Sequence, residues 1–258
     1  MLLLRRGRSV LSRVRTFSRE RGAVVVLRSC ALWVWSWFRG RPGGGRDHGS
    51  FAWDGRRLPY FVHHYHYTWL NERAVEVALA LDLLERHPGA SVLEVGNVLD
   101  HYVPFEHTVV DKYEQAPGVL NEDVADLDLG RRFDLVLAIS TLEHVGLDEE
   151  VRDDDKPLRA LERLRAHVAP GGRLWVTHPV GYNLALDELF REGVPGLVRM
   201  RALRREPTRN EWREVPLAQA WGTSYDRLLY TAHAVVVVEL DAPENGPAKS
   251  GADKVTGW

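Results

Sequence analysis

Short apolar runs that end in a glycine or a polar residue recur through the middle of the chain. They cover residues 91–95, 108–110, 133–139 and 173–177 and are followed by Gly96, Asp111, Ser140 and His178. Runs of this length, closed by turn-forming residues, are typical of buried strands. Because segments of helical length separate them, the pattern predicts βαβ units and a parallel sheet covered on both faces.

Two helices and three further features complete the predicted fold. The first helix is expected at 71–87, and the second has Leu158, Leu161, Leu164 and Val168 on one face. Asp54-Gly55 predicts a hairpin turn. The last strand, 232–240, has no helix before it, which indicates an antiparallel edge strand. The predicted fold is α/β, with a Rossmann-like, doubly wound, mostly parallel sheet and an antiparallel edge strand.

The composition divides the chain into unequal parts. We expect a basic arm and linker at 1–46, an aromatic-rich flap at 47–70, a main domain at 71–241 with an insert at about 184–221, and a loose tail at 242–258. The single cysteine, Cys30, excludes an internal disulfide framework. That composition suits a reducing compartment, so we expect a cytoplasmic protein.

The basic arm contains eleven arginines and one acidic residue, a net charge of +10, which leaves −12 for residues 47–258. Its apolar stretch, 23–38, has 16 residues, fewer than the roughly 20 that span a bilayer. At helical spacing, Arg21, Arg28 and Arg39 fall on one stripe. One interpretation is peripheral contact with an anionic membrane surface; a disordered tail is an equal alternative. No nucleic-acid partner is expected, since no nucleic-acid fold is recognisable.

The residues after the predicted strands indicate which kind of ligand the protein binds, because ligands bind beyond the carboxyl ends of parallel strands. Lys112 is the only lysine or arginine among them, which disfavours a phosphate-rich ligand. The first loop, 96–101, keeps only the first glycine of the dinucleotide pattern G-x-G-x-x-G. Val98 obstructs the approach of a phosphate and Asp100 repels it.

Asp111 follows Glu94 by 17 residues, close to the offset at which an acidic residue meets ribose hydroxyls. A carboxylate can accept both hydroxyl protons of a ribose. An alternative role for Asp111 is to form the turn at the strand end. The sequence thus has an acceptor for ribose hydroxyls but lacks the glycines that bind phosphates, so it predicts a nucleoside cofactor without phosphates.

The order of the motifs resembles that of the Rossmann-like (class I) methyltransferases, and more narrowly a little-described branch with a glycine-poor first motif. The matching segments are VLEVG at 92–96, VVD at 109–111, NEDVADL at 121–127, FDLV at 133–136, LEHV at 142–145 and APGGRL at 169–174. They cover residues 71–180 well. The resemblance implies S-adenosylmethionine as the cofactor.

The resemblance also implies the roles of individual residues. Gly96 would pass under the methionine part of the cofactor, with Asn97 beside it, and Glu94 would support the loop. Asp111 would hold the ribose. The adenine would lie between Asp123 and Val124, and the sulfonium beside Ser140 and Thr141. For Asp123, the alternative is a solvated carboxylate in a turn.

A base could assist transfer to an alcohol, and histidine has a suitable pKa. His144 and His178 each follow a predicted strand and are the candidate catalytic residues. The alternative for His144 is a residue that orders the start of a helix. The cluster His63, His64 and His66 lacks a second set of ligands, so aromatic packing of the flap is expected and no metal.

The predicted function is transfer of a methyl group from S-adenosylmethionine to a small-molecule or glycan acceptor, at a hydroxyl, in a secondary-metabolite or glycan pathway. A second hypothesis is a non-catalytic scaffold of the same fold that binds a partner protein, and the missing glycines favour it. A third, a nicotinamide-dependent oxidoreductase, is disfavoured by the absent phosphate cradle. The oligomeric state cannot be inferred from the sequence.

Overall fold

The computed structural model describes residues 48–206 and 209–243, together with Leu27, Ala31, Val34, Trp35 and Trp37. The other residues of the basic arm, and the tail after 243, lie outside the described residues. In the part of the chain that is described, no helix is both long and apolar enough to cross a membrane.

Ten strands and four α-helices are described between residues 48 and 243. The strands are β1 (Ser50–Trp53), β2 (Arg56–Pro59), β3 (Val92–Val95), β4 (Thr108–Val110), β5 (Val119–Leu120), β6 (Phe133–Ile139), β7 (Val168–Pro179), β8 (Leu197–Arg205), β9 (Trp212–Val215) and β10 (Ala234–Leu240). The helices are α1 (Arg73–Arg86), α2 (Lys156–Ala166), α3 (Leu184–Glu192) and α4 (Leu217–Ala220). Short 3-10 turns cover Tyr65–Leu70, Leu99–His101 and Leu142–His144.

The main sheet has the strand order β5-β4-β3-β6-β7-β10-β8-β9. Strands β5, β4, β3, β6 and β7 are parallel, and β10 is antiparallel to both β7 and β8. The predicted fold class is confirmed, and this is the sheet that the resemblance to class I methyltransferases implies. The antiparallel strand predicted at the edge lies inside the sheet, while the edge strand β9 is antiparallel to β8. The order of the strands reverses between β3 and β6, which is where ligands bind in such folds.

Hydrophobic residues pack on both faces of the sheet. On one face, Leu161 and Leu164 of α2 lie in the same cluster as Phe190 of α3. On the other face, Leu79 of α1 lies in a cluster with Trp53 of the β1–β2 hairpin. Burying one side chain of this size contributes roughly 1.5–3 kcal/mol. The two clusters hold β6 between them, and five of its seven residues are consecutive and buried.

Three crossovers differ from the expected βαβ units. Between β3 and β4 the chain forms only the 3-10 turn Leu99–His101, and no α-helix lies between β4 and β5 or between β5 and β6. The parallel strands are therefore joined by compact loops on this side of the sheet. The loop after β3 lacks the helix N-terminus that binds a diphosphate in dinucleotide-binding folds.

Two segments differ from their expected structure. Val168, predicted on the face of α2, begins β7, because its neighbour His167 accepts a hydrogen bond from Phe133 N (2.8 Å) and joins the chain to the sheet there. The expected insert at 184–221 supplies β8 and β9 to the main sheet. Arg199 and Arg201 of this segment lie on β8, where both form ion pairs with Asp54.

Candidate active site

The carboxyl ends of β3, β4 and β6 lie side by side. Val95 is in register with Val110 on one side and Ala138 on the other. The residues that follow these strands, Gly96, Asp111 and Ser140, therefore meet at one edge of the sheet. This edge includes the point where the strand order reverses, so the structure brings together the three loops from which the site was predicted.

Gly96 is the one position in the first loop that requires glycine. Its φ is +82°, and a Cβ atom there would overlap the side chain of Thr141. Asn97 and Val98 do not have positive φ, so the backbone of the loop needs no further glycine. Gly96 N donates to Val110 O (2.8 Å), which holds the loop against β4. The glycine-poor motif is thus compatible with a tight loop.

Glu94 holds the first loop from beneath. It is fully buried, and its Oε1 accepts hydrogen bonds from Val98 N (3.1 Å) and Leu99 N (2.9 Å). Its Oε2 lies 2.7 Å from His107 Nε2. Burial lowers the pKa of His107, but the hydrogen bonds with Glu94 and Phe105 and the charges of Glu94 and Asp100 together outweigh it, so the net pKa is raised. This geometry is the loop support that the resemblance implies for Glu94.

Asp111 uses half of its carboxylate to form its own turn. Oδ1 accepts hydrogen bonds from Tyr113 N and Glu114 N, both at 2.8 Å. Oδ2 has only a long contact with Asn97 N (3.4 Å). In this conformation a ribose would meet Oδ2, because Oδ1 already accepts two hydrogen bonds. Oδ2 keeps the capacity to accept a further one.

Asn97 carries an unpaired acceptor next to this carboxylate. Its Nδ2 donates to Glu114 Oε1 (2.9 Å). Its Oδ1 is buried and has no hydrogen-bond partner among the described residues. A buried acceptor without a partner costs free energy, so a ligand with a hydrogen-bond donor is favoured at this position.

Asp123 has partners other than an adenine. Its Oδ2 accepts from Lys112 Nζ (2.7 Å) and Lys156 Nζ (2.6 Å), and both lysines also pair with Glu149. Burial raises the pKa of Asp123, but the two lysines outweigh it and lower the pKa to about 2. The neighbouring Val124 is buried in the core. The predicted adenine contact of the Asp123 side chain is thus replaced by an ion-pair network.

This network predicts a specific loss of stability in acid. Because the pKa of Asp123 falls from 3.8 to about 2 on folding, its charge stabilises the fold above the ordinary pKa and this contribution is lost as the pH drops to about 2. We expect wild type to lose roughly 1–3 kcal/mol more unfolding free energy than Asp123→Asn between about pH 5 and pH 2. Urea unfolding at both pH values measures the difference, and parallel losses in the two proteins would contradict it.

Ser140 has strained backbone at the end of β6. Its φ is +41°, which is uncommon for a residue with a side chain. Its N–H donates to Thr177 Oγ1 (3.0 Å), and its hydroxyl donates to the buried Glu76. The partly buried Arg73 donates to Ile139 O (3.0 Å) and to Glu76 (3.0 Å). Strain held in place by buried bonds is typical of functional sites, and the next residue, Thr141, packs against Gly96.

His144 forms a hydrogen-bonded chain with two residues. Its Nδ1 lies 2.6 Å from Asp148 Oδ2, which also accepts from Tyr182 Oη (2.7 Å). The imidazole packs edge-on against the Tyr182 ring (4.8 Å between centroids), and 46% of its side chain is exposed. Desolvation lowers the pKa of His144, but Asp148 and the Glu143 carboxylate outweigh it and the net pKa is raised. With Nδ1 donating to Asp148, Nε2 of the neutral ring is free to accept a proton.

His178 does not reach the candidate site. Its side chain is fully buried, and its Nε2 lies 2.6 Å from Asp187 Oδ1. The other oxygen of Asp187 accepts from Gly181 N (2.9 Å). The prediction of a catalytic His178 is corrected accordingly: the residue lies within β7, which extends past it to Pro179, and it ties this strand to α3.

The aromatic flap packs beside the first loop. Tyr65 stacks between His66 (4.2 Å) and His101 (4.5 Å), and 38% of Tyr65 is exposed. An open cleft of about 650 Å³ lies next to His101, and its lining includes Asn97, Asp100, Glu106 and Glu114 but no lysine or arginine. Within the described residues, no three His, Cys, Asp or Glu side chains are placed to hold a metal ion.

Sequence reasoning missed several residues of this site. Asp148 is one of them, although its position four residues after His144 is a recognisable signal. Arg73 and Glu76 gave no signal, since they begin a helix whose other residues are mostly apolar. Tyr182 is distant from His144 in the sequence, and the structure places the two rings against each other.

Solved structures with a similar fold are methyltransferases. The N-methyltransferase NodS from Bradyrhizobium japonicum, in complex with S-adenosyl-L-homocysteine, has a TM-score of 0.44 and 14% identity over 67% of this chain and 89% of its own. A possible histamine N-methyltransferase from Thermotoga maritima has a TM-score of 0.42 and 18% identity over 68% and 93%. A Clostridium acetobutylicum S-adenosylmethionine-dependent methyltransferase has a TM-score of 0.41 and 9% identity over 65% and 91%.

No protein-family model matches the chain, and no curated protein matches its sequence. The low identities and TM-scores of the structural matches do not assign an activity to this chain. Its function has to be argued from its own residues.

Proposed function

We propose that this chain is an S-adenosylmethionine-dependent methyltransferase that acts on a hydroxyl of a small-molecule or glycan acceptor. The observation that carries the proposal is the first loop, in which Gly96 closes against Thr141 while Glu94 holds Val98 and Leu99 from below. A carboxylate, Asp111, ends the next strand. This loop supports a nucleoside and lacks the glycines and helix that a diphosphate needs.

The residues at the sheet edge fit such a cofactor. Asp111 Oδ2 and the unpaired Asn97 Oδ1 are acceptors suited to ribose hydroxyls or an ammonium group. Gly96 lets the first loop close against Thr141, where any side chain would overlap it. When bound, the cofactor supplies an electrophilic methyl group. The task of the protein is then to position the acceptor.

His144 is proposed to take the proton of the acceptor hydroxyl. Asp148 fixes the ring through Nδ1, which leaves Nε2 as the accepting atom. Tyr182 holds Asp148 in turn. A base held in this way and exposed at the site contributes roughly 10²–10⁴ in rate. The flap also presents Tyr67, which is 50% exposed and suited to stacking against a sugar or an aromatic acceptor.

Replacing Asp111 tests the cofactor site directly. We expect Asp111→Ala to weaken the binding of S-adenosylhomocysteine by roughly 1–3 kcal/mol, because hydrogen bonds to a charged acceptor are lost. Asp126→Ala is the matched control, since Asp126 is an exposed carboxylate in the neighbouring loop. Calorimetry on both variants measures the change. Equal affinities for the two variants would remove Asp111 from the site.

A non-catalytic scaffold that binds a partner protein is the second candidate function. Two observations favour it. Asp111 Oδ1 already accepts the hydrogen bonds of its own turn, and Asp123 Oδ2 already accepts hydrogen bonds from Lys112 and Lys156. The two functions differ in one measurable property. A methyltransferase releases S-adenosylhomocysteine from S-adenosylmethionine when a panel of hydroxyl acceptors is supplied, and a scaffold does not.

A further inference from the structure

The basic arm presents an exposed apolar face. All five of its described residues are helical. Leu27, Ala31, Val34 and Trp35 follow the spacing i, i+4, i+7 and i+8, which places them on one side of a helix. Leu27 is 70% exposed, Val34 48% and Trp35 59%. Large apolar side chains that share a helix face are normally buried against another surface.

The charge of the arm limits what can cover this face. Residues 1–46 carry +10 and residues 47–258 carry −12. The acidic domain of the same chain attracts the arginines by charge, but it would satisfy the apolar face only by covering it. The exposure of Leu27 and Val34 shows that the domain does not cover them. The occupant is therefore anionic, apolar beneath its surface, and outside this chain.

We infer that the arm binds the surface of an anionic membrane. Its apolar face would enter the boundary between headgroups and acyl chains, and its arginines would meet lipid phosphates. Three tryptophans, Trp33, Trp35 and Trp37, suit that boundary. The apolar stretch has 16 residues, fewer than the roughly 20 that span a bilayer. It would lie in the surface of the bilayer and hold the domain there.

Sedimentation with lipid vesicles tests this inference on the full-length protein. We expect binding to vesicles of phosphatidylcholine mixed with phosphatidylserine, none to phosphatidylcholine alone, and weaker binding as salt is raised. Leu27→Glu and Val34→Glu should each weaken binding roughly tenfold or more, because a charge replaces an inserted apolar group. Val151→Glu adds the same charge at a 79% exposed site in the domain and should bind like wild type.

Two results would overturn the inference. One is that the protein sediments to the same extent with neutral and anionic vesicles, or that it sediments with neither. The other is binding by Leu27→Glu that matches Val151→Glu. Affinity for S-adenosylhomocysteine, measured on the same variants, reports separately on the domain. If a variant loses vesicle binding but keeps its affinity for S-adenosylhomocysteine, the effect lies in the arm. If wild type does not bind S-adenosylhomocysteine, that result counts only against the proposed enzyme.

Discussion

His144→Gln is expected to lower kcat by roughly 10²–10⁴. Glutamine keeps a polar side chain at the position but cannot accept the acceptor's proton at neutral pH. The measurement is the rate of S-adenosylhomocysteine release with whichever hydroxyl acceptor of the panel gives turnover in wild type. Cofactor affinity should stay within a small factor of wild type, because His144 lies beyond the first loop. A variant with the wild-type kcat would show that His144 only orders its loop.

The pH profile separates the base from a structural histidine. Wild-type activity should rise with pH as His144 loses its proton, with a midpoint above the ordinary value of 6.5 because its pKa is raised. In Asp148→Asn, the hydrogen-bonded carboxylate that raises the pKa is gone. The midpoint should therefore move to lower pH. A midpoint that does not move would exclude the His144–Asp148 pair from proton transfer.

Glu94→Ala is expected to destabilise the protein by roughly 3–5 kcal/mol, the cost of removing one member of a buried charged network. The substitution leaves the amides of Val98 and Leu99 without their acceptor and His107 without its partner. Urea unfolding measures the loss. Glu106→Ala, in the exposed part of the same crossover, should change stability by about 0.5 kcal/mol or less. Similar values for the two variants would mean that the first loop does not depend on Glu94.

The strands could be predicted because each is a short apolar run with a clear end. β4 and β6 begin and end at the predicted residues, and Asp54-Gly55 forms the expected hairpin turn with positive φ at both residues. Periodicity also located α1, although it begins two residues later than expected. Periodicity does not show whether the segment that joins two parallel strands forms a helix or a loop. The segment after Gly96 is long enough for a helix, yet it folds as a loop because Glu94 binds its amides.

The candidate site was only partly predictable, because sequence patterns do not show which residues far apart in the chain come into contact. Position along the sheet edge identified Gly96, Asp111 and Ser140, since register follows from parallel pairing. The ion-pair partner of a charged side chain can be a residue that is distant in the sequence. Lys156 lies 33 residues from Asp123, and no local pattern pairs them. His178 illustrates the opposite case, in which a titratable residue near a strand end is buried by the helix that follows.

The central claim is that the crevice at this sheet edge accepts an adenosine nucleoside and has no place for a diphosphate. Calorimetric titration of the wild-type protein with S-adenosylhomocysteine and, separately, with NAD tests it most directly. We predict saturable binding of one S-adenosylhomocysteine per chain and no heat of binding with NAD. Binding of NAD, or the absence of binding with both ligands, would contradict the account.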